Sequence, residues 1–184
     1  TLSSSSAASD VYKRQVMTAE LKYIIFDTDM GWVGILGSAK GLLRTTLPQR
    51  SAQKVQKLLG NSINYATWSP HLFGDLMERL RIYFGGHKAT FPDDLDISGA
   101  TPFQCQVWET TRLIPYGETK SYAWVAEQIK KLGAMRAVGQ ALARNPLPII
   151  IPCHRVINHD GKLGGYSGGV KMKRRLLNLE ASTV

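Results

Sequence analysis

The 184-residue chain carries 23 Lys+Arg against 14 Asp+Glu, a formal net charge of +9, with 43% hydrophobic residues and two cysteines. This is too apolar for a disordered chain and too poor in cysteine for a disulfide-stapled secreted scaffold. Its apolar runs, such as residues 147–152, fall far short of the ~20 residues that span a bilayer. The expectation is a basic, soluble, cytoplasmic protein (nuclear if eukaryotic), monomeric and off the membrane, with one domain or two small ones.

Residues 1–16 are Ser/Ala-rich and without periodicity or an apolar h-region. They are expected to be a disordered leader or a cloning remnant rather than a secretory signal. Residues 17–90 then read as an α/β domain with a small antiparallel sheet. Tyr23-Ile24-Ile25-Phe26 forms a β-rich run, Asp29-Met30-Gly31 a turn, residues 32–36 a second strand, residues 37–41 another turn and residues 42–46 a third strand. Val55, Leu58 and Leu59 fall at i, i+3, i+4 on a helix that Gly60 stops. Leu72, Phe73, Leu76, Leu80 and Tyr83 mark a helix over 70–84, closed by Gly85-Gly86. Residues 91–100, rich in Asp and Pro, read as a linker.

Residues 101–184 read as a mainly helical domain, so the fold class is α+β. Thr101-Pro102-Phe103-Gln104 is a capping box with Pro at the first helical position, opening a helix to about Ile114. After Pro115-Tyr116-Gly117, Ser121 caps a helix carrying Tyr122, Val125, Ala126 and Ile129. Gly133 breaks it before a second helix with Ala134, Ala137, Val138, Ala141 and Leu142 at helical spacing. Two helices with a short Gly-containing turn make a helix-turn-helix, winged-helix-like pattern, although an ordinary αα-hairpin has the same signature. The second helix is lined with small residues, Gly139 among them, so it can approach a partner backbone closely. Arg136 and Arg144 lie about two turns apart and are expected to meet one partner. Charge follows the same division: residues 17–100 hold 9 Lys+Arg against 8 Asp+Glu, and residues 101–184 hold 12 against 5. A basic C-terminal half is either a solvated face or a footprint for phosphates.

Chemistry concentrates after that helix. Three prolines, Pro146, Pro148 and Pro152, bracket an apolar stretch that ends at Cys153. Buried cysteines are usually inert. Here His154 and Arg155 follow directly, an electropositive setting that favours thiolate, and Glu180 sits on a later amphipathic helix over 171–180 from which a carboxylate can orient a histidine. Whether Glu180 is near His154 is not visible in spacing alone. His71 and His87 are too sparse for a metal site, and the N-terminal half has no cysteine, so neither metal nor cofactor is expected. His159-Asp160-Gly161 reads as a β-turn, and Trp32, Trp68, Trp108 and Trp124 as core.

Ile151-Pro152-Cys153-His154-Arg155-Val156-Ile157 resembles the acceptor-cysteine motif of the O6-alkylguanine-DNA alkyltransferases (methylated-DNA–protein-cysteine methyltransferases). The similarity extends through Phe103-Gln104 to Trp108, Pro115-Tyr116-Gly117, Ser121-Tyr122, Arg136-Ala137-Val138-Gly139, Asn145-Pro146 and Gly164-Gly165-Tyr166-Ser167-Gly168-Gly169, covering residues 101–180. The resemblance implies stoichiometric, irreversible transfer of the alkyl group from O6-alkylguanine (and O4-alkylthymine) in double-stranded DNA to Cys153 after base flipping. It implies that His154, through a water, takes the Cys153 proton, with Glu180 orienting His154 and Asn145 bracing the turn. Tyr122 would donate a proton toward the guanine. Arg136 would fill the gap left in the base stack, with Ala137, Gly139 and Arg144 also facing DNA, while backbone groups around Tyr166 and Ser167 would line the guanine pocket, with Lys173 nearby on the last helix. Rival readings are a lesion sensor, which would lack the acceptor cysteine; a winged-helix transcription factor, which leaves Pro-Cys-His-Arg unexplained; and a cysteine hydrolase, which usually separates Cys from His widely.

Overall fold

The computed structural model describes residues 20–182, so the expected leader at 1–16 lies outside the described residues. Strands β1 (Lys22–Thr28), β2 (Gly31–Ser38) and β3 (Gly41–Thr45) form an antiparallel meander, with Tyr23 opposite Leu36 and Thr28 opposite Gly31. A two-residue strand β4 (Thr67–Trp68) adds to β1 in parallel, so the order is β3-β2-β1-β4. Alternation along these strands sorts side chains onto two faces. Ile24, Phe26, Val33 and Ile35 enter the main core, whereas Leu36, Tyr23 and Ile25 join a smaller cluster with Leu21.

Helix α1 (Ala52–Leu59) closes the smaller cluster. Ser51 caps it by accepting from the Lys54 N–H, and Gly60, at φ 81°, ends it in a left-handed conformation that costs other residues dearly. Val55 and Leu59 are buried, but Leu58, expected beside them, is 45% exposed. The helix lies so close to β2 that a Cβ at Gly34 would come within 2.5 Å of Val55 Cγ1. A 3-10 turn, Asn61–Tyr65, connects to β4. Helix α2 (Gly74–Phe84) starts four residues later than its apolar spacing suggests: residues 71–73 are turn, and Leu72 is exposed. It buries Leu76, Leu80, Tyr83 and Phe84 in the main core.

The 91–100 segment is tied down along its length. Arg79 grips Asp93 through two 2.8 Å bonds, and residues 94–96 run beside β3, with Leu42 N–H donating to Asp94 O and Asp96 N–H to Leu42 O, both at 2.8 Å. Helix α3 (Pro102–Arg112) follows, with the Thr101/Gln104 capping box formed; such a cap is worth about 1 kcal/mol. Helices α4 (Tyr122–Gln128) and α5 (Met135–Ala143) make the helix-turn-helix, with Ser121 Oγ accepting from Trp124 N–H at 3.0 Å and Lys130 and Gly133 at positive φ between them. Buried Trp108 donates from Nε1 to Ala141 O at 2.9 Å, fastening α3 to α5. Strands β5 (Lys120–Ser121) and β6 (Val156–Ile157) pair in parallel, and α6 (Val170–Ala181) completes the fold. Of the four tryptophans only Trp108 is fully buried; Trp124 is half-buried, Trp32 is 36% exposed and Trp68 60% exposed.

The main core joins the two halves, running from Ile24 and Tyr83 through Trp108 and Val138 to Leu147 and Leu176. The loop before Cys153 is where this joining bears on chemistry. Thr45 of β3 donates from its N–H to Pro146 O at 3.0 Å and from Oγ1 to Pro148 O at 2.9 Å. Ile149, buried and β-branched, sits at φ 76°, a conformation costing of order 1–3 kcal/mol that only a well-packed surrounding sustains.

Candidate active site

Asn145, just past the end of α5, organises the loop with one side chain. Its Oδ1 accepts from Leu147 N–H at 2.8 Å, and its Nδ2 donates to Ile151 O at 2.9 Å and to Cys153 Sγ at 3.1 Å. Cys153 opens a 3-10 turn, Cys153–Arg155, and is 4% exposed. That small exposed area faces a cavity of about 720 Å³ between α4, α5 and the 158–167 loop.

The cavity gathers residues far apart in sequence: Tyr122 from the start of α4, Arg136 and Gly139 from α5, and Tyr166 and Ser167 from the loop, together with Cys153. Gly139 keeps α5 slim where it passes Tyr122; a Cβ there would lie 3.7 Å from Tyr122 Cε1. Tyr122 donates to Gly165 O at 3.4 Å, and the Tyr166 hydroxyl is buried against Cys153. Lys173 does not line the cavity. It is buried beneath it, and its ammonium donates to the carbonyls of Val156 (2.6 Å), Leu163 and Gly165 (3.3 Å), which holds the loop against the turn.

Two of the expected DNA-facing residues stand apart from this group. Ala137 is exposed on α5 but is not part of the cavity wall. Arg144, exposed, lines a second cavity of about 350 Å³ with Arg44, Asp96 and Trp108, apart from the cavity that Arg136 lines. The reason is helical geometry: eight residues at 3.6 per turn rotate the side chain by about 80°, and Arg144 is already the C-terminal cap.

Behind Cys153 lies a buried polar network. His154 and Glu180 are fully buried, with Nε2 2.6 Å from Glu180 Oε1. Arg155 donates to Glu180 through Nε (2.9 Å to Oε2) and Nη2 (3.0 Å to Oε1) and to Ile114 O through Nη1 at 2.7 Å. Gly117 N–H donates to Oε2 at 3.0 Å, and the Tyr83 hydroxyl donates to Oε1 at 2.7 Å. Burial alone would raise the Glu180 pKa, but the hydrogen bonds from His154 and Arg155 and the charge of Arg155 prevail and bring it down to about 2. Burial lowers the His154 pKa against the pull of Glu180, so the imidazole is neutral, with its Nδ1 free of hydrogen bonds among the described residues.

The thiol departs from the sequence expectation. Arg155 points to Glu180 and does not make the surroundings of Cys153 electropositive; burial pushes the Cys153 pKa up, opposed by the Asn145 bond and the charge of Lys173. Lys173 itself is lowered to about 8 by burial, while a thiolate at Cys153 would pull it up. The resting group is therefore a thiol next to a neutral, carboxylate-backed imidazole. Such an arrangement suits formation of thiolate by a general base better than storage of one. Tyr122 also has a raised pKa, first from burial and then from the charge at Cys153, and so remains a proton donor at neutral pH.

Sequence reasoning missed Tyr83, whose place in the apolar stripe of α2 marked it only as core. It missed Met135, Gln140, Asn158 and His159 as cavity walls. His159 does lie in the expected turn, where Gly161 N–H donates to Asn158 O at 3.1 Å. No periodic signal marks such residues, because the cavity joins loops to helices.

Fold and site together define a group-accepting cysteine protein in which a helix-turn-helix borders the cavity that exposes the nucleophile. The family model of the 6-O-methylguanine DNA methyltransferase DNA binding domain matches residues 102–182. The chain is 37% identical over 162 residues to the methylated-DNA–protein-cysteine methyltransferase of Methanosarcina acetivorans, covering 87% of this chain and 98% of that one. It is 50% identical over 116 residues to the protein of that name from Mycobacterium tuberculosis, covering 63% and 70%. The crystal structure of Mycobacterium tuberculosis OGT in complex with DNA superposes with a TM-score of 0.74 at 38% identity, over 88% of this chain and 93% of that one. The chain belongs to the methylated-DNA–protein-cysteine methyltransferase family.

Proposed function

We propose that the protein repairs O6-alkylguanine in double-stranded DNA by moving the alkyl group to Cys153 Sγ, once per molecule. The observation that carries this reading is the meeting of Cys153, Tyr122, Arg136 and Gly139 on one cavity beside α5. The alkylated oxygen lies inside the duplex, so the nucleotide is extruded at a cost of a few kcal/mol. Arg136, exposed on α5, fills the stack it leaves, and the slim face at Gly139 permits close approach to the groove. The basic C-terminal half binds phosphates, which suits a lesion that can occur in any sequence. A monomer suffices, since every group named comes from one chain.

The transfer balances as one proton moved and one bond exchanged. His154 Nδ1 takes the Cys153 proton through a bridging water. Sγ attacks the alkyl carbon as its bond to O6 breaks, and the electron pair stays on the base. Tyr122 supplies the proton that the guanine gains, and regains one from the imidazolium. Attack on O4-alkylthymine follows the same course. The product thioether is not hydrolysed by anything in the site, so turnover ends there.

The reading is tested with a duplex carrying one tritium-labelled O6-methylguanine. Wild-type protein is expected to take up label, while Cys153→Ala takes up none and still binds the duplex with near wild-type affinity. Label uptake by Cys153→Ala would overturn the assignment of the acceptor.

A further inference from the structure

The Tyr83 hydroxyl is held by the catalytic network and by nothing else in the described contacts. It comes from α2, 71 residues before His154 and 97 before Glu180, and is fully buried. It donates to Glu180 Oε1 at 2.7 Å while its oxygen lies 3.2 Å from His154 Nε2, which is itself 2.6 Å from the same Oε1. With its hydrogen committed to the carboxylate, the phenol oxygen turns a lone pair toward Nε2. Both neighbours of Nε2 are then acceptors, which fixes the imidazole proton on Nε2 and leaves Nδ1 bare.

We infer that Tyr83 is a positioning residue of the N-terminal half that sets the tautomer and basicity of His154 by sharing Glu180 Oε1 with it. The inference rests on the alkyl-transfer reading for its kinetic consequence and on geometry alone for its chemical one. Oε1 accepts from His154, Tyr83 and Arg155 Nη2, and Oε2 accepts from Arg155 Nε and Gly117 N–H. A carboxylate divided among so many donors gives less to each, so the imidazolium is stabilised less than by an undivided Glu180. The other ionisable groups facing the imidazole are Arg155 on its own turn and Lys173 on α6, both of which lower its proton affinity, and Cys153 next to it. A base kept neutral at working pH can accept the thiol proton at once.

The ring explains why the position suits this task. It packs edge-on against Phe84, Phe91 and Tyr116 with centroids 5.2–6.0 Å away, so the hydroxyl has little freedom to swing. Tyr83→Phe keeps this packing and deletes only the shared donor.

The experiment compares wild type with Tyr83→Phe in single-turnover transfer from an O6-methylguanine duplex across pH, and follows the His154 ring nitrogens by 15N NMR. The variant is expected to shift the acid limb of the rate profile upward by about half a pH unit or more, a threefold loss on that limb, with the His154 titration rising in step. An unmoved limb, a downward shift, or a uniform loss at every pH would overturn the inference, the last marking a merely structural role. Should wild type transfer nothing, the alkyl-transfer reading fails while the NMR titration still decides this one. Should Tyr83→Phe not fold, 3-fluorotyrosine at position 83, a stronger donor to Glu180 in the same ring, is expected to lower the His154 titration, and an unmoved or raised titration would overturn the inference.

Discussion

Replacing Glu180 by Gln removes one charge and almost no volume from a densely bonded buried carboxylate. The carboxylate is 1% exposed and is bonded by His154, Arg155, Tyr83 and Gly117. Its pKa falls from 4.5 to about 2, and at about 1.4 kcal/mol per unit that corresponds to roughly 3 kcal/mol favouring the folded, ionised form. Mutational experience with one-sided loss of a buried ion pair, about 3–5 kcal/mol, agrees with that size. At neutral pH Glu180→Gln is therefore expected to lower Tm by about 6–20 °C in a chain of this length. The sign with pH follows from the lowered carboxylate pKa. Its stabilisation is fully present above the unfolded value of about 4.5 and fades as pH falls toward 2. Thermal unfolding followed by circular dichroism from pH 7 to pH 3 should show the gap between wild type and variant narrowing below pH 5. A gap of constant size across that range would show that the lost stability does not come from the charge.

Other consequences are equally direct. Asn145→Ala deletes bonds to Leu147 N–H, Ile151 O and Cys153 Sγ; it is expected to lower stability by about 1–3 kcal/mol in chemical denaturation and to slow transfer more than it weakens DNA binding. Arg136→Ala is expected to slow repair in duplex DNA more than reaction with free O6-alkylguanine base, and equal loss on both would remove it from the flipping step. Alkylated protein is expected to be less stable than unmodified protein by about 1–3 kcal/mol, since a group is added at a site 4% exposed and the Asn145 bond to sulfur is disturbed. Differential scanning calorimetry of the two forms checks this.

How far the sequence reached depends on the range of the interaction. Strands β1 to β3 were legible because β-rich runs alternate with Gly-containing turns, and α3 because a complete capping box is a local device. Periodicity erred where it assumed a buried face of full width: Leu58 and Leu72 fit the helical spacing yet stand in solvent, as α1 buries only Val55 and Leu59 and α2 begins only at Gly74. The meeting of His154 with Glu180 entered through family resemblance, and the structure shows what spacing could not, a 2.6 Å contact between residues 26 apart. Arg155 was read for its charge, but what decides its effect is direction, and it points to Glu180 rather than to the thiol. Tyr83 was legible as core and illegible as a donor, because nothing local marks a hydroxyl whose acceptor lies 97 residues onward.

If the proposed function holds, Cys153 accepts one alkyl group from DNA and keeps it. Intact-protein mass spectrometry after incubation with excess duplex containing a single O6-methylguanine, followed by peptide mapping, addresses it directly. The expected result is the gain of one methyl group per chain, saturating at one and located on Cys153. An unchanged mass despite tighter binding to the lesion than to plain duplex would contradict it and leave a sensor of damage in place of a repair protein.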